Sequence, residues 1–221
     1  MERHFELELD ELKQRLLWMG ALVERAVQQS VRSLVEFDEG LARKVLEEEP
    51  AINDMQIEID ARVMRLLALQ QLMAADLRFA LAVTRINADL ERIGDQAVNI
   101  AQSAQSLLQL PRVNPLIDLP RMSELAEKMV CDSLDAFVRG DAELAKTVLA
   151  RDDLVDSLRD QMFHELLAQM IENPSVILPT FQFVLGVKDL ERIGDHATNI
   201  AEDVIYMVAG CDVRHHAVDR R

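Results

Sequence analysis

Acidic side chains four residues apart recur at two places in this sequence, 100 positions from each other. On a helix, residues i and i+4 are neighbours, so two such carboxylates repel each other by roughly 0.2–0.5 kcal/mol. A bound cation would turn this repulsion into attraction, and ligands that offer only oxygen favour hard cations such as Mg, Ca, Mn or Fe. The residues concerned are Glu91, Asp95 and Asn99 in the first copy and Glu191, Asp195 and Asn199 in the second.

The two copies belong to a longer repeat that preserves polar residues. Residues 89–101 read DLERIGDQAVNIA and residues 189–201 read DLERIGDHATNIA, so eleven of thirteen positions match. A packed core constrains apolar residues and leaves outward polar residues free to change, yet Arg92 and Arg192 are repeated along with the acids. The rest of the two halves differs much more. The repeat therefore favours a metal or anion site over carboxylates that are merely solvated.

Helical geometry predicts where the acidic side chains point. The apolar residues of the first copy define the core face of a helix, and at 100° per residue the acids fall on the opposite side. Gly94 and Gly194 lie nearer the core face, where the missing side chain predicts close approach of a neighbouring helix. The apolar residues are Leu90, Ile93, Ala97 and Ile100.

A second set of ligands can face the first from the preceding helix. Asp152 and Asp156 have the same i, i+4 spacing and lie beside the residues of the expected core. An alignment at an offset of 103 residues places Glu49 and Asn53 at the equivalent positions of the first half. An asparagine oxygen can bind a cation but brings no charge. The sequence thus predicts four carboxylates in the second half and three in the first.

Long helices must position these residues, and the composition favours them. Apolar residues make up 49% of the chain and aromatic residues only 4%, with seven glycines and six prolines. Apolar residues recur at helical spacing from about residue 5, beginning with Phe5, to residue 36, and again from Phe79 to Leu107. We predict an all-α fold of two tandem homologous three-helix bundles, six long antiparallel helices in total. The bundles would pack end to end or side by side.

Proline and glycine indicate the boundaries. The segment Pro111–Pro120 contains three prolines and is the predicted linker between domains at residues 1–112 and 113–221. A weaker repeat at an offset of 103 aligns Asp38 with Asp141. Asn173 and the proline after it should separate the last two helices. Pro50 predicts a kink or an irregular helix start.

Charge and cysteine content exclude several classes of function. A net charge of −15 argues against binding to nucleic acids or to anionic lipid. Cys131 and Cys211 show no metal-ligand spacing and are expected to be free thiols in a reducing compartment. The acidic N-terminus does not resemble a signal peptide, and no apolar run approaches the roughly 20 residues of a membrane helix. We expect a cytoplasmic protein that reaches the inner membrane only through protein partners.

The doubled DLERIGD motif, followed each time by an AxNI segment, resembles the signature of the PhoU family, the phosphate-uptake regulators of bacteria. The resemblance covers nearly the whole chain, including residues 204–213. It implies two three-helix bundles that carry multinuclear clusters of iron or another metal on their surface, and a homodimer. In the second half it assigns the ligands to Glu191, Asp195, Asp152 and Asp156. In the first half it assigns them to Glu91 and Asp95. Glu49 and Asn53 occupy the positions of the other pair there, but asparagine replaces the final acid of the motif.

The resemblance also implies a function and partners. It predicts a negative regulator of phosphate uptake and of the phosphate-starvation response, which links the ATPase subunit of a phosphate ABC transporter to a phosphate-sensing histidine kinase. One alternative is a metal-free helical scaffold. Another is a carboxylate-bridged di-metal enzyme, but such enzymes use Glu-x-x-His pairs in the bundle core, and none occurs near the repeat. We therefore predict no catalytic residues.

Overall fold

The structure is a computed structural model that describes residues 2–69, 72–113 and 118–213. Within these ranges every regular element is helical, which confirms the predicted class. None of the described helices combines the length and the apolar character needed to cross a membrane. Residues 114–117 of the predicted linker and the side chain of Phe5 lie outside the described part. The helices are α1 (Glu2–Glu36), α2 (Glu39–Leu69), α3 (Ala74–Leu107), α4 (Leu119–Arg139), α5 (Ala142–Leu149), α6 (Asp152–Glu172) and α7 (Ile177–Ala209), with a 3₁₀ turn at Pro174–Val176.

Each half has three helical arms, as predicted, but the middle arm of the second half is divided. A turn at Ala150 and Arg151 separates α5 from α6, and together these two helices take the place that α2 has in the first half. α2 itself runs unbroken through Pro50, so this proline does not mark a helix start. The break makes Asp152 the first residue of α6. The predicted separation of the last two helices at Asn173 is confirmed.

The turns before the middle arms are built alike in both halves. Asp38 and Asp141 each accept two backbone N–H hydrogen bonds of 2.8–3.1 Å from the first turn of the following helix. The residue before each cap has a positive φ angle, 56° at Phe37 and 63° at Gly140. A phenylalanine is strained in this conformation, and the edge-on contact of its ring with Phe183 helps to hold it. The weaker repeat at an offset of 103 is therefore a structural repeat.

The core of each bundle lies where apolar periodicity predicts it. The predicted core residues of α3 are all buried, and the apolar residues of α1 that recur at 3–4 spacing are buried from Leu12 to Ala26, with Leu9 partly buried. The core residues of α3 are Phe79, Val83, Ile86, Leu90, Ile93, Ala97, Ile100, Ala104 and Leu107.

The two bundles pack side by side, and α3 against α7 is the largest contact between them, with α1 against α4 beside it. We call the contact between α3 and α7 the seam. Arg85 Nη1 donates a hydrogen bond of 2.8 Å across the seam to Asp203 Oδ1, and Arg78 Nε donates one of 3.2 Å to the carbonyl oxygen of Met207. As a result, one flank of each repeated helix faces the other bundle and not open solvent.

Candidate metal centre and the seam between the bundles

In the second half, α6 and α7 bring the four predicted carboxylates together. Burial, followed by repulsion from Asp195, Asp156 and other carboxylates, raises the pKa of Asp152 to about 6. Burial also raises the pKa of Asp195, with further contributions from Glu191 and Asp156. Each carboxylate thus experiences the charge of its neighbours, and a cation between them would relieve this repulsion.

Close helix packing puts these carboxylates within range of each other. Gly194 is buried, and a Cβ atom at this position would lie 3.4 Å from Val155 Cγ1 and 3.8 Å from Asp152 Oδ1. In the first half, a Cβ atom at Gly94 would lie 3.2 Å from Ile52 Cδ1. Val155 and Ile52 are equivalent at the offset of 103, so the same close approach positions both clusters. The predicted structural role of the two glycines is confirmed.

An arginine lies within the second-half cluster. Arg159 Nη1 donates hydrogen bonds of 2.6 Å to Glu191 Oε1 and 2.8 Å to Asp156 Oδ1, and the same guanidinium contacts Asp160. Within the described ranges, no three acidic, histidine or cysteine side chains converge closely enough to hold a metal ion as they stand. The donor chemistry fits a hard cation, but Arg159 has to withdraw and the carboxylates have to rotate before one can bind.

The first-half cluster is smaller. Burial raises the pKa of Glu91, and repulsion from Asp95 and from Glu49 on α2 contributes, while Arg92 acts in the opposite direction. Asn53, one turn further along α2, is half-buried and brings an amide where the second half has Asp156. The structure therefore brings three carboxylates together here and four in the second half.

The polar face of the repeat is only partly open to solvent. Asp95 and Asp195 are exposed, as predicted. Glu91 and Glu191 are half-buried, because the middle arm of each bundle flanks them. This differs from the fully outward placement that the helical angles alone suggest. The remaining predicted polar residues, Arg92, Asn99, Arg192 and Asn199, are exposed on α3 and α7.

The aspartates that begin each repeat were not among the predicted site residues, yet they are buried in the seam. Asp89 Oδ1 accepts hydrogen bonds from His196 Nδ1 at 2.8 Å and from Asn199 Nδ2 at 3.4 Å, so it joins the first bundle to the second. Its counterpart Asp189 lies 3.8 Å from Arg192 Nη1, and burial raises its pKa to about 6, while the charges of Arg192 and Lys188 act in the opposite direction. The sequence signal that points to Asp89 and Asp189 is an acid directly before a core leucine in both copies of the repeat.

The seam also contains an open groove of about 520 Å³. Residues from both copies of the repeat form it, and the two repeated arginines enter it from opposite helices. Arginine, amide and hydroxyl groups outnumber the single carboxylate. The lining residues are Arg92, Gln96, Arg192, Asp195, His196, Thr198 and Asn199.

The sequence matches known proteins along its whole length. A family model for the PhoU domain matches residues 16–104 and 119–204, one match in each half. A phosphate-specific transport system accessory protein PhoU homolog from Pseudomonas putida is 40% identical, and the match covers 100% of this chain and 86% of that protein. Its counterpart from Pseudomonas aeruginosa is also 40% identical, with coverage of 100% and 91%.

Solved structures share the fold. The crystal structure of PhoU from Pseudomonas aeruginosa has a TM-score of 0.89 at 40% identity and covers 94% of this chain and 100% of its own. The phosphate transport system regulatory protein PhoU from Streptococcus pneumoniae has a TM-score of 0.87 at 32% identity, with coverage of 95% and 99%. With a family match in each half, full-length relatives and this shared architecture, the chain belongs to the PhoU family.

Proposed function

We propose that this chain is an accessory regulator of phosphate uptake that acts by binding other proteins and not by catalysis. The full-length match to relatives named accessory proteins of phosphate-specific transport carries this proposal. In its host, the protein restrains uptake and the starvation response when phosphate is plentiful. It does so as an adaptor between the ATPase subunit of a phosphate ABC transporter and a phosphate-sensing histidine kinase.

The proposal includes a metal in the second-half cluster. Its carboxylate oxygens suit hard cations, with iron as the leading candidate and Mn, Mg or Ca as alternatives. The raised pKa values of Asp152 and Asp195 support this assignment, because burial and, after it, repulsion between the carboxylates raise them, and a cation would relieve that repulsion. The metal would supply positive charge to a strongly acidic surface. The first half, with Asn53 in place of an acid, would bind metal more weakly.

Apolar side chains at the ends of the bundles offer a docking surface for the transporter. Leu77 and Leu81 on α3 are exposed, and so are Ile177 and Phe181 at the equivalent positions of α7. Exposed apolar residues that are repeated at an offset of 100 are better explained by a binding partner than by packing within the chain. A second copy of the chain is the alternative occupant of this surface. Measuring whether the chain forms the dimer that the family resemblance implies would test this alternative.

A metal-free scaffold remains the second candidate function because of one observation. Arg159 already neutralises Glu191 and Asp156 through hydrogen bonds of 2.6 and 2.8 Å. A guanidinium can thus take the place of the cation, and the protein would then act through its surface alone. Elemental analysis of protein purified without added metal decides between the two: metal that is lost in Glu191→Ala/Asp195→Ala supports the metal centre, and negligible metal in the parent protein supports the scaffold.

A carboxylate-bridged di-metal enzyme receives less support. Such enzymes place Glu and His ligands inside the bundle core. Here the carboxylates lie between α6 and α7 at the edge of a bundle, and the nearest histidine of α6, His164, is exposed and contacts the backbone oxygen of Asp160 at 2.7 Å. The relatives are named accessory proteins and not enzymes.

The regulatory role is tested by deletion in the host. We expect transcription of phosphate-starvation genes and phosphate uptake to rise in phosphate-rich medium, and a plasmid copy to restore repression. A copy with Leu77→Ser and Phe181→Ser should fold but fail to restore repression, and it should no longer co-purify with the ATPase subunit. Starvation genes that remain repressed after deletion would contradict the proposed role.

A further inference from the structure

Two arginines from different bundles line the groove of the seam. Within the described ranges, Arg92 makes no hydrogen bond or close ion pair, although its charge opposes the rise in the pKa of Glu91, and Arg192 Nη1 forms a long ion pair of 3.8 Å with Asp189 Oδ1. Other exposed arginines find a carboxylate at shorter distance, as Arg25 and Arg43 do at 3.1 and 2.8 Å. With 39 acidic and 24 basic residues, this chain has ample acids for every arginine. Two guanidinium groups that line one groove with only distant acidic partners repel each other, and an oxyanion between them would relieve this repulsion.

The remaining groups of the groove are those that an oxyanion needs. Gln96 and Asn199 bring amide N–H groups, and the amide of Asn199 keeps a second hydrogen beside the one it donates to Asp89. A guanidinium presents its N–H donors in a planar fork that matches the oxygen atoms of phosphate. The groove is open, and a tetrahedral anion is much smaller than its volume of about 520 Å³, so the ligand can enter with part of its water.

One carboxylate in this groove determines which oxyanion fits. Asp195 is exposed at the edge of the groove and only accepts hydrogen bonds when it is ionised. Near neutral pH, inorganic phosphate still carries at least one P–OH group that can donate to this carboxylate, whereas sulfate carries none. A sulfate oxygen facing Asp195 would meet only repulsion. The groove therefore favours phosphate over sulfate.

We propose that the seam groove binds inorganic phosphate directly, with Arg92 and Arg192 on its anionic oxygens and Asp195 accepting its P–OH proton. The inference rests on the proposed function, because it identifies phosphate as a ligand of the same regulator. Phosphate in this position contacts α3 and α7 at once, so it links the two bundles. Binding thereby stabilises one arrangement of the seam, which is a physical route from phosphate concentration to the surfaces that partners contact.

Isothermal titration calorimetry with sodium phosphate at pH 7.5, on the full chain after treatment with a chelator, tests this proposal. Each arginine that contacts the anion through charge-assisted bonds is expected to contribute about tenfold in affinity. Arg92→Gln/Arg192→Gln should thus weaken binding by about a hundredfold. The control Arg25→Gln/Arg43→Gln removes the same charge from the surface of the first bundle and should bind as the parent chain does.

Selectivity provides the second readout. Sulfate should bind the parent chain at least about tenfold more weakly than phosphate, and Asp195→Asn should narrow this difference because an amide can donate to sulfate. Absence of phosphate binding, or equal loss in the control pair, would overturn the proposal. Phenyl phosphate that binds as tightly as inorganic phosphate would also overturn it, since the site would then recognise a larger phosphorylated molecule. These results are independent of the host deletion, so the regulatory role can stand if direct binding fails.

Discussion

His196 Nδ1 donates a hydrogen bond of 2.8 Å to Asp89 Oδ1, and this bond joins α7 of the second bundle to α3 of the first. The repeat relates Asp89 to Asp189 and His196 to Gln96, so an equivalent bond would be expected at the other end of the seam. It is not formed there, because glutamine replaces histidine. Gln96 Oε1 is instead buried without a hydrogen-bond partner in the described structure. The polar contacts of the seam thus differ between the two copies of the repeat.

We expect Asp89→Asn to destabilise the protein. The substitution replaces a charge-assisted hydrogen bond with a neutral one and leaves His196 with a weaker partner at a buried position. The loss should be about 1–2 kcal/mol in the free energy of unfolding. Urea unfolding at pH 7.5, followed by circular dichroism, measures it. A variant as stable as the parent chain would mean that the bond does not hold the bundles together.

Asp189→Asn should have the opposite effect at the same pH. Burial raises the pKa of Asp189 from 3.8 to about 6, so the folded state binds a proton more tightly than the unfolded state does. Its contribution is most favourable below pH 4 and is lost as pH rises to about 6. Removing the charge should therefore increase the free energy of unfolding at pH 7.5 by about 1 kcal/mol, with allowance for the nearby charges of Arg192 and Lys188.

The pH dependence separates this prediction from a general effect of the amide. At pH 3 the parent carboxyl is mostly protonated in both states, because this pH lies below its ordinary pKa of 3.8 and far below the folded value of about 6, so Asp189→Asn and the parent chain should be nearly equally stable there. Urea unfolding at pH 3 and at pH 7.5 provides the comparison. A gain in stability of the same size at both values would show that repulsion between the charge and its buried site is not the cause.

Gln96→His is predicted to stabilise the chain. The repeat places residue 96 opposite Asp189 as His196 lies opposite Asp89, so an imidazole there can donate to Asp189 and remove the unpaired Gln96 oxygen. One buried hydrogen bond to a charged group should add about 1 kcal/mol. Thermal unfolding at pH 7.5 measures the gain. In the background of Asp189→Asn the gain should shrink, and an equal gain in both backgrounds would contradict the pairing.

The sequence alone predicts much of this molecule, because the relevant signals are local. Periodicity on α3 identifies its core residues, and the spacing of Glu191 and Asp195 identifies one side of the cluster. The seam could not be predicted in the same way. Helical angles separate a core side from an outer side, but they do not reveal that the outer side of α3 meets α7. For this reason the sequence does not identify Asp89 and His196 as partners.

The two glycines of the repeat should respond differently to alanine. An alanine gains about 1 kcal/mol of helix propensity over glycine. A Cβ atom at Gly194 would make an ordinary contact of 3.4 Å with Val155, whereas at Gly94 it would press on Ile52 from 3.2 Å. Gly194→Ala should therefore be more stable than Gly94→Ala by roughly 0.5–1 kcal/mol in urea unfolding. The reverse order would mean that α2 adapts more readily than α6.

Asp152→Asn should change stability in opposite directions with and without metal. Burial and repulsion from Asp195 and Asp156 raise the pKa of Asp152 to about 6, so its ionised form destabilises the metal-free fold above that pH and not below pH 4. In protein treated with a chelator at pH 7.5, the substitution should add about 1 kcal/mol to the free energy of unfolding.

Added Mn²⁺ or Fe²⁺ should raise the thermal midpoint of the parent chain and leave that of Asp152→Asn almost unchanged, because the variant lacks one anionic ligand. Glu143→Gln, an exposed acid on α5, provides the control and should respond to metal as the parent chain does. A parent chain whose midpoint ignores both cations would favour the metal-free scaffold with Arg159 as the permanent counter-ion.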